Sequence, residues 1–191
     1  MRAAEVYDLF YNRIFLDPLV HGEYPPALFA LLAQHDVAWD YSAEELAIIR
    51  DNTVDELGIN LYYPHRVKAP SRAWHPQTPF HPAWYYEPFE LPGRRMNASR
   101  GWEIYPRIVF DMAMRIKNDY RNIPWFIAES GMGVENEGQV SQRRRHHCRR
   151  VPHSLYQRAS LADAARAGGG SQLSRLHAVG VYRQRVADER L

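Results

Sequence analysis

A carboxylate at the end of a short apolar run is the side chain of this sequence best placed to do chemistry. The run Trp125–Ala128 leads directly into Glu129, and Gly131 then interrupts the chain. Because four apolar residues are too few for a helix, we predict a strand that is buried on both faces. In α/β barrels the catalytic groups lie at the C-terminal ends of such strands, which makes Glu129 a candidate reacting carboxylate. A solvated loop glutamate is the alternative from the pattern alone.

The segments before Glu129 predict an alternation of helix and strand. The amphipathic stretch 106–120 predicts a helix, which is followed by a tight turn and then by the strand that carries Glu129. An earlier stretch, residues 55–64, predicts a second strand, and Asn60 and Tyr62 lie near its end. A helix between two strands is typical of an α/β fold with parallel strands.

Three further helices are predicted upstream of these strands. The predicted ranges are 3–19, 26–35 and 43–51. Pro18 is expected to end the first helix, and Pro26 lies at the first position of the second, where proline is favoured. Ser42 and Glu45 have the spacing of a capping box, which predicts the start of the third helix.

Composition excludes several classes of protein. The chain has 191 residues, of which 46% are hydrophobic and 13% aromatic, so it is not disordered as a whole. A single cysteine excludes a disulfide framework.

The sequence has no apolar run of transmembrane length and no signal peptide, so we expect a cytoplasmic protein without a membrane partner. His75 and His81 lack partners at metal-ligand spacing, so we expect neither a metal nor another cofactor. The oligomeric state is not defined by the sequence.

Three motifs of this sequence resemble those of family 1 glycoside hydrolases, which include the β-glucosidases and the 6-phospho-β-glucosidases. The motifs are Gly101–Pro106, Ala113–Tyr120 and Ile127–Gly131. These enzymes are retaining glycosidases on a (β/α)8 TIM barrel, so the resemblance implies an α/β fold of that kind. It also implies that Glu129 is the nucleophile, because it occupies the glutamate of the family's I-[TS]-E-N-G motif at the end of strand seven. Ser130 stands where the family usually has asparagine.

A fourth motif, residues 55–63, is similar to the family's D-F-L-G-[IV]-N-Y-Y sequence at strand six. In the family, the tyrosine two residues after the asparagine hydrogen-bonds the nucleophile. The resemblance therefore implies that Asn60 and Tyr62 bind the substrate or orient the nucleophile. A plain core strand with a satisfied tyrosine is the alternative. The sequence departs from the motif at Glu56 and at Leu61.

The resemblance implies hydrolysis of the O-glycosyl bond of a small-molecule β-glucoside, either plain or 6-phosphorylated. The stretch Val67–Pro70 resembles the phospho-β-glucosidase branch. A retaining glycosidase also needs an acid/base carboxylate, which the family carries in a T-x-N-E-P motif on strand four. No Asn-Glu-Pro sequence occurs in these 191 residues, and a complete barrel needs about 250. We therefore expect residues 1–139 to be a partial barrel, with strands six and seven and their flanking helices, that is inactive alone.

Residues 66–100 are rich in proline and have neither a helical nor a strand period. This is long for a structureless connection, which predicts either a functional loop or disorder. A loop after a barrel strand would lie over the mouth of the active site, where Trp74 and Trp84 could stack on sugars. A lid held by packing alone is the alternative for any single residue.

Beyond Gln139 the sequence changes character. A basic block, Arg143–Arg150, is followed by the low-complexity stretch 162–170. Codons compatible with residues 178–191 encode Leu-Trp-Ala-Phe-Thr-Asp-Asn when they are read one base later, which is similar to the family's W-x-x-x-D-N motif at strand eight. We therefore predict that residues 140–191 are translated out of frame and form a disordered or non-native tail.

The composition of this tail suggests two other functions. The basic block could bind nucleic acid, and His146, His147 and Cys148 could bind a metal. We expect neither, because the block lacks interleaved aromatic residues and because three adjacent residues cannot easily close one tetrahedral site. A non-enzymatic remnant or a basic-tail binding module is the alternative function for the whole chain.

Overall fold

The computed structural model of the chain describes residues 2–73, 79–131 and 173–176. The helices are α1 (Ala3–Asp8), α2 (Ile14–His21), α3 (Pro26–Gln34), α4 (Ala43–Asp51) and α5 (Ile108–Asp119), with a π-helical turn (Leu9–Arg13) between α1 and α2 and a 3-10 turn (Pro82–Trp84). The strands are β1 (Leu57–Asn60), β2 (Val67–Lys68), β3 (Glu87–Pro88), β4 (Met96–Asn97), β5 (Trp102–Glu103), β6 (Trp125–Glu129) and β7 (Leu173–Leu176). No helix in these ranges is long and apolar enough to cross a bilayer.

The chain divides into two compact units. The first unit comprises Met1–Asp55, His65–Arg94 and Ile116–Ile123, and the second comprises Glu56–Pro64, Arg95–Arg115 and Pro124–Leu191. The core of the first unit lies between α1, the π-helical turn and α3. Its buried residues are Val6, Leu9, Leu28, Leu31 and Tyr86.

The first helical stretch is longer than the sequence predicted. It continues through Pro18 to the end of α2, where Gly22 closes it with a φ of +76°, so the prediction that Pro18 ends the helix was wrong. A proline lacks the N–H donor that a helix needs at its position and therefore tends to interrupt the helix. Here the residue before it, Asp17, is held in place by two side-chain contacts. Asp17 is buried and accepts hydrogen bonds from the Arg13 guanidinium at 2.7 Å and from the Tyr120 hydroxyl at 2.9 Å.

The predictions for α3 and α4 are confirmed. Pro26 is the first residue of α3, where its missing N–H costs nothing. At the start of α4 the Ser42 hydroxyl accepts a hydrogen bond from the Glu45 N–H at 3.1 Å, and the Glu45 carboxylate accepts one from the Ser42 N–H at 2.8 Å. This reciprocal pair is the capping box that the sequence predicted.

Residues 66–100 are more regular than the sequence predicted. β2 pairs with β3 in antiparallel fashion, and β4 pairs with β5. The predicted lack of strands was therefore wrong, because pairs of two-residue strands are too short to leave a period in the sequence. His81 accepts a hydrogen bond from the Ala83 N–H at 3.1 Å and so caps the 3-10 turn. Trp74 and His75 lie outside the described residues.

A parallel sheet in the order β1-β6-β7 forms the framework of the second unit. β6 has the predicted bounds, but only one of its faces is fully buried. Trp125 and Ile127 are buried, whereas Phe126 and Ala128 are half-buried, so the prediction of burial on both faces was wrong. The described strands form an open sheet and not a closed barrel.

β7 belongs to the segment 140–191, for which the sequence predicted no native structure. Its backbone pairs with β6, with Trp125 opposite Leu173 and Ile127 opposite Leu176. The prediction of a disordered or non-native tail did not include this strand. The other residues of the segment, including the basic block, lie outside the described residues, and the out-of-frame origin of the tail stays a prediction.

Gly22 provides a first test of the packing, because no side chain fits at its position. A Cβ placed there would lie 2.8 Å from both the Cα and the carbonyl oxygen of Arg50. We expect Gly22→Ala to lower the free energy of unfolding by more than about 2 kcal/mol, since it adds this clash to a left-handed backbone. Equilibrium urea denaturation measures the difference.

Gly93 is the matched control for this prediction. It has a φ of +75°, but nothing lies within 4 Å of a Cβ placed on it. Gly93→Ala should cost only the backbone strain, about 1 kcal/mol. Equal losses in the two variants would show that the close approach to Arg50 has no energetic consequence.

Glu87 provides a second test, through its protonation. Its carboxylate accepts hydrogen bonds from the Ser71 N–H and hydroxyl, both at 2.9 Å, and pairs with the Lys68 ammonium at 2.9 Å. These contacts, the Ser71 N–H first, lower the pKa of Glu87 to about 2. Because the pKa is lowered in the folded state, the contribution to stability is present above the ordinary value of 4.5 and is lost as the pH falls through about 2.

The expected result is a Glu87 carboxyl that titrates near pH 2 when followed by carbon-13 NMR. Lys68→Met should raise this pKa only part of the way to the ordinary value, because both Ser71 donors remain. An ordinary pKa in the unaltered chain would contradict the observed contacts.

Candidate active site

The site is built on the pairing of β1 with β6, whose register changes by one residue near its end. Leu57, Gly58 and Ile59 lie opposite Trp125, Phe126 and Ile127, but Asn60 lies opposite Glu129. Ala128 therefore has no counterpart on β1. An extra residue of this kind is a bulge, which redirects the side chain that follows it.

The bulge decides on which face of the sheet Glu129 lies. In regular pairing Glu129 would lie opposite Leu61 and share a face with the buried residues, because side chains alternate along a strand. The shift pairs Glu129 with Asn60 instead, and Tyr62 lies on the Asn60 face, two residues further on. The register thus brings together the three residues that the sequence predicted as the site.

Two hydrogen bonds hold Glu129 in this position. The Tyr62 hydroxyl donates to Oε2 of Glu129 at 2.5 Å, and the N–H of Leu61 donates to the Glu129 carbonyl oxygen at 2.8 Å. The first bond fixes the carboxylate and the second fixes the backbone beneath it. Asn60 is exposed, and its side chain makes no hydrogen bond to another described residue.

A tryptophan that the sequence reasoning did not assign lies beside this pair. The ring of Trp102, at the start of β5, is half-buried and lies 5.6 Å from the ring of Tyr62. It stacks on Tyr63 with ring centroids 4.9 Å apart and planes 23° apart. Trp102 belongs to the Gly101–Pro106 motif, which resembles a motif of the family. That resemblance is the signal in the sequence that could have assigned Trp102 to the site. The stack holds a flat aromatic face close to the tyrosine that contacts Glu129.

Gly58 allows the sheet to pack tightly beneath the site. A Cβ on Gly58 would lie 2.9 Å from the Cζ atom of Phe126, which is directly opposite on β6. The Phe126 ring therefore covers the glycine and fills the space that a side chain would take. A glycine inside a strand often marks such a close approach.

The arrangement presents a half-buried carboxylate that is held through one oxygen and is close to an aromatic face. A positioned carboxylate can act as a nucleophile or as a general base. The geometry of Glu129 and Tyr62 suits either role, and the choice between them depends on the second group that the reaction uses. Trp84 belongs to the first unit, so the predicted stacking of lid aromatics over the site stays a prediction.

Comparisons with known proteins identify the family of this chain. The family described as glycosyl hydrolase family 1 matches residues 1–167. The 6-phospho-beta-glucosidase GmuD of Bacillus subtilis is 50% identical over 137 residues, which cover 72% of this chain and 30% of that protein. A bifunctional beta-D-glucosidase/beta-D-fucosidase of Bifidobacterium breve is 29% identical over 140 residues, again 72% of this chain and 30% of that protein.

The fold is similar to that of solved structures. A beta-glucosidase from Exiguobacterium marinum superposes with a TM-score of 0.67 at 20% identity, over 93% of this chain and 37% of that one. This likeness confirms the predicted fold class, a partial (β/α)8 barrel. The chain spans about a third of the length of the relatives it matches. The family match also extends beyond the predicted boundary at residue 139.

A double-mutant cycle tests whether Tyr62 and Glu129 interact as the structure indicates. Tyr62→Phe, Glu129→Gln and the double variant are compared by urea denaturation at neutral pH. A hydrogen bond to a charged group is worth about 1.5–3 kcal/mol, and we expect a coupling energy of about 1 kcal/mol because the pair is only part-buried. A coupling energy of zero would mean that the two side chains do not meet in solution.

Proposed function

Because the chain belongs to glycosyl hydrolase family 1, we propose that it forms part of a retaining β-glycosidase that hydrolyses 6-phospho-β-glucosides. Glu129 is the nucleophile in this proposal, and Tyr62 orients it. The observation that carries the proposal is the hydrogen bond from the Tyr62 hydroxyl to the Glu129 carboxylate at the end of β6. The family match supplies the class of reaction.

The proposed reaction proceeds in two steps. The free oxygen of the Glu129 carboxylate attacks the anomeric carbon while an acid protonates the leaving glycosidic oxygen, and the bond between that carbon and oxygen breaks. Water, deprotonated by the conjugate base of the same acid, then attacks the anomeric carbon and releases the sugar and the carboxylate. Because Tyr62 holds Oε2, it leaves Oε1 as the attacking atom.

Trp102 has a proposed role in binding. Its half-buried ring lies beside Tyr62, and a flat aromatic face of this kind can pack against a sugar ring or the leaving group. The contact adds binding energy without taking part in bond making. Asn60, exposed and aligned with Glu129 in the register, is placed to hydrogen-bond the hydroxyl groups of the substrate.

The second carboxylate is proposed to come from another part of the barrel. Retaining enzymes place their two carboxylates about 5–5.5 Å apart, and the acid/base motif expected from the resemblance does not occur in this sequence. The chain alone should therefore have no glycosidase activity. Its relatives extend well beyond the stretch that this chain matches, which gives room for the missing strands.

The phosphorylated substrate is proposed from the pattern of similarity. The relative that is 50% identical is a 6-phospho-beta-glucosidase, whereas the bifunctional beta-D-glucosidase/beta-D-fucosidase is 29% identical. Enzymes that act on the same substrate tend to retain more of the surface around it. The comparison therefore favours a 6-phospho-β-glucoside over a plain glucoside.

A chimera tests the proposal directly. The stretch of this chain that matches the Bacillus subtilis enzyme replaces the corresponding stretch of that enzyme, and hydrolysis of p-nitrophenyl 6-phospho-β-glucoside is followed. We expect activity that Glu129→Gln abolishes. Tyr62→Phe should lower kcat by about 10-fold to 100-fold, the equivalent of one hydrogen bond to a charged group. Trp102→Ala should mainly raise KM.

The same assay can also give results that contradict the proposal. An active chimera whose rate is unchanged by Glu129→Gln would exclude this residue as the nucleophile. Hydrolysis by the unmodified chain alone would show that the second carboxylate lies within these 191 residues. Preference for the unphosphorylated glycoside would overturn the substrate assignment and leave the reaction type intact.

A further inference from the structure

Four aromatic side chains of the first unit form a contiguous group that the proposed reaction does not use. Tyr24 precedes α3, Phe29 lies within it, and Trp39 and Tyr41 lie in the extended segment that follows it. The Trp39 ring lies 4.8 Å from that of Tyr24 and 5.5 Å from that of Phe29. Tyr41 lies 5.3 Å from Phe29. We call these four residues the aromatic platform.

The platform combines exposure with fixed geometry. Trp39 is 38% exposed and Tyr41 is 43% exposed, although both rings pack against Phe29. Single exposed aromatic residues are common on protein surfaces, but adjacent ones held in place by further rings are typical of binding sites. Because the rings are already packed, little conformational freedom is lost when a ligand binds.

The charge around the platform limits the chemistry of its ligand. Residues 14–49 contain no lysine and no arginine, and Arg50, whose backbone packs against Gly22, is paired with Asp51 at 2.8 Å. Asp36 and Asp40 lie on either side of Trp39 in the sequence and are exposed, and their carboxylates make no hydrogen bond or ion pair with another described residue. A surface of this sign repels phosphates, nucleic acids and anionic lipids. Its ligand is therefore neutral or cationic.

The packing of the rings favours a neutral ligand with a flat apolar face. Recognition of an organic cation needs aromatic faces arranged around a space that the cation can enter. The centroid separations of 4.8 Å and 5.5 Å are those of rings in direct contact, so no such space lies between Trp39 and its two neighbours. A β-linked glucose unit fits better, because its hydroxyls are equatorial and its ring faces carry C–H groups. The exposed carboxylates of Asp36 and Asp40, which lie close to Trp39 and Tyr41 in the sequence, can accept hydrogen bonds from such hydroxyls.

We propose that the aromatic platform, with Asp36 and Asp40, is a second sugar-binding site that takes β-linked glucose units of a neutral oligosaccharide or glucan. The choice of a β-linked sugar rests on the proposed function, whereas the neutral charge and the flat face follow from the platform itself. The platform binds sugar without cleaving it. The exposed carboxylates of Asp36 and Asp40 disfavour a phosphorylated ligand at the platform.

Affinity electrophoresis of the full 191-residue chain tests the proposal. Native gels contain hydroxyethyl cellulose as a soluble β-glucan, dextran as an α-linked control, or no polymer. We expect retardation by the β-glucan alone, with a dissociation constant of about 1 mM for the exposed site. Trp39→Ala should raise this constant at least about fivefold, since it removes the stacking face.

Matched variants separate the platform from exposure in general. Phe15→Ala alters a residue that is 62% exposed and lies outside the platform, and it should leave the retardation unchanged. The retardation is measured without any hydrolysis, so a failure of the proposed catalysis does not affect this result. If circular dichroism shows that Trp39→Ala is unfolded, Trp39→Phe and Asp40→Ala decide the question. The first should keep part of the retardation, and the second should weaken it.

Three results would overturn the proposal. The first is an unaltered chain that the β-glucan does not retard. The second is retardation that persists in folded Trp39→Ala, or that Phe15→Ala removes equally. The third is a concentration-dependent dimer, seen by analytical ultracentrifugation, that Trp39→Ala abolishes while the β-glucan has no effect, because this would assign the platform to a second copy of the chain.

Discussion

The site depends on one unpaired residue, Ala128, in the ladder between β1 and β6. Because side chains alternate along a strand, this single residue moves Glu129 to the face that carries Asn60 and Tyr62. The shift cannot relax by a slip of the whole strand, because Trp125 is fully buried at its beginning. A slip by one residue would turn that ring to the other face of the sheet and lose the free energy of its burial. The burial of Trp125 at the beginning of β6 thus maintains the bulge at Ala128 near its end.

The first unit also has a buried anchor, the carboxylate of Asp17. Asp17 is buried, and its two oxygens are satisfied by Arg13 and by Tyr120, which lies 103 residues later in the chain. A buried carboxylate needs such partners, because unpaired it would be strongly unfavourable. The triad connects α2 to the end of α5.

Local chemistry explains which parts of the fold were predictable from the sequence. The capping box at Ser42 and the apolar run of β6 are encoded within a few residues, and both were predicted with the right bounds. Tyr62 and Glu129 were predicted as partners because the motifs that carry them resemble those of a family. The bulge at Ala128 is a relation between two strands, so neither strand reveals it alone. The helix continues past Pro18 because of a contact with Tyr120 that is remote in sequence.

The hydrogen bond from Tyr62 has a consequence for turnover as well as for position. In the proposed mechanism Oε1 of Glu129 becomes an ester oxygen, and the negative charge that Tyr62 had stabilised at Oε2 disappears. A phenol donates more strongly to a carboxylate than to an ester carbonyl, so its bond weakens as the covalent intermediate forms. The same bond regains its strength when water releases the sugar. Tyr62 therefore favours the free carboxylate over the ester, and it assists the second step, in which the carboxylate is the leaving group.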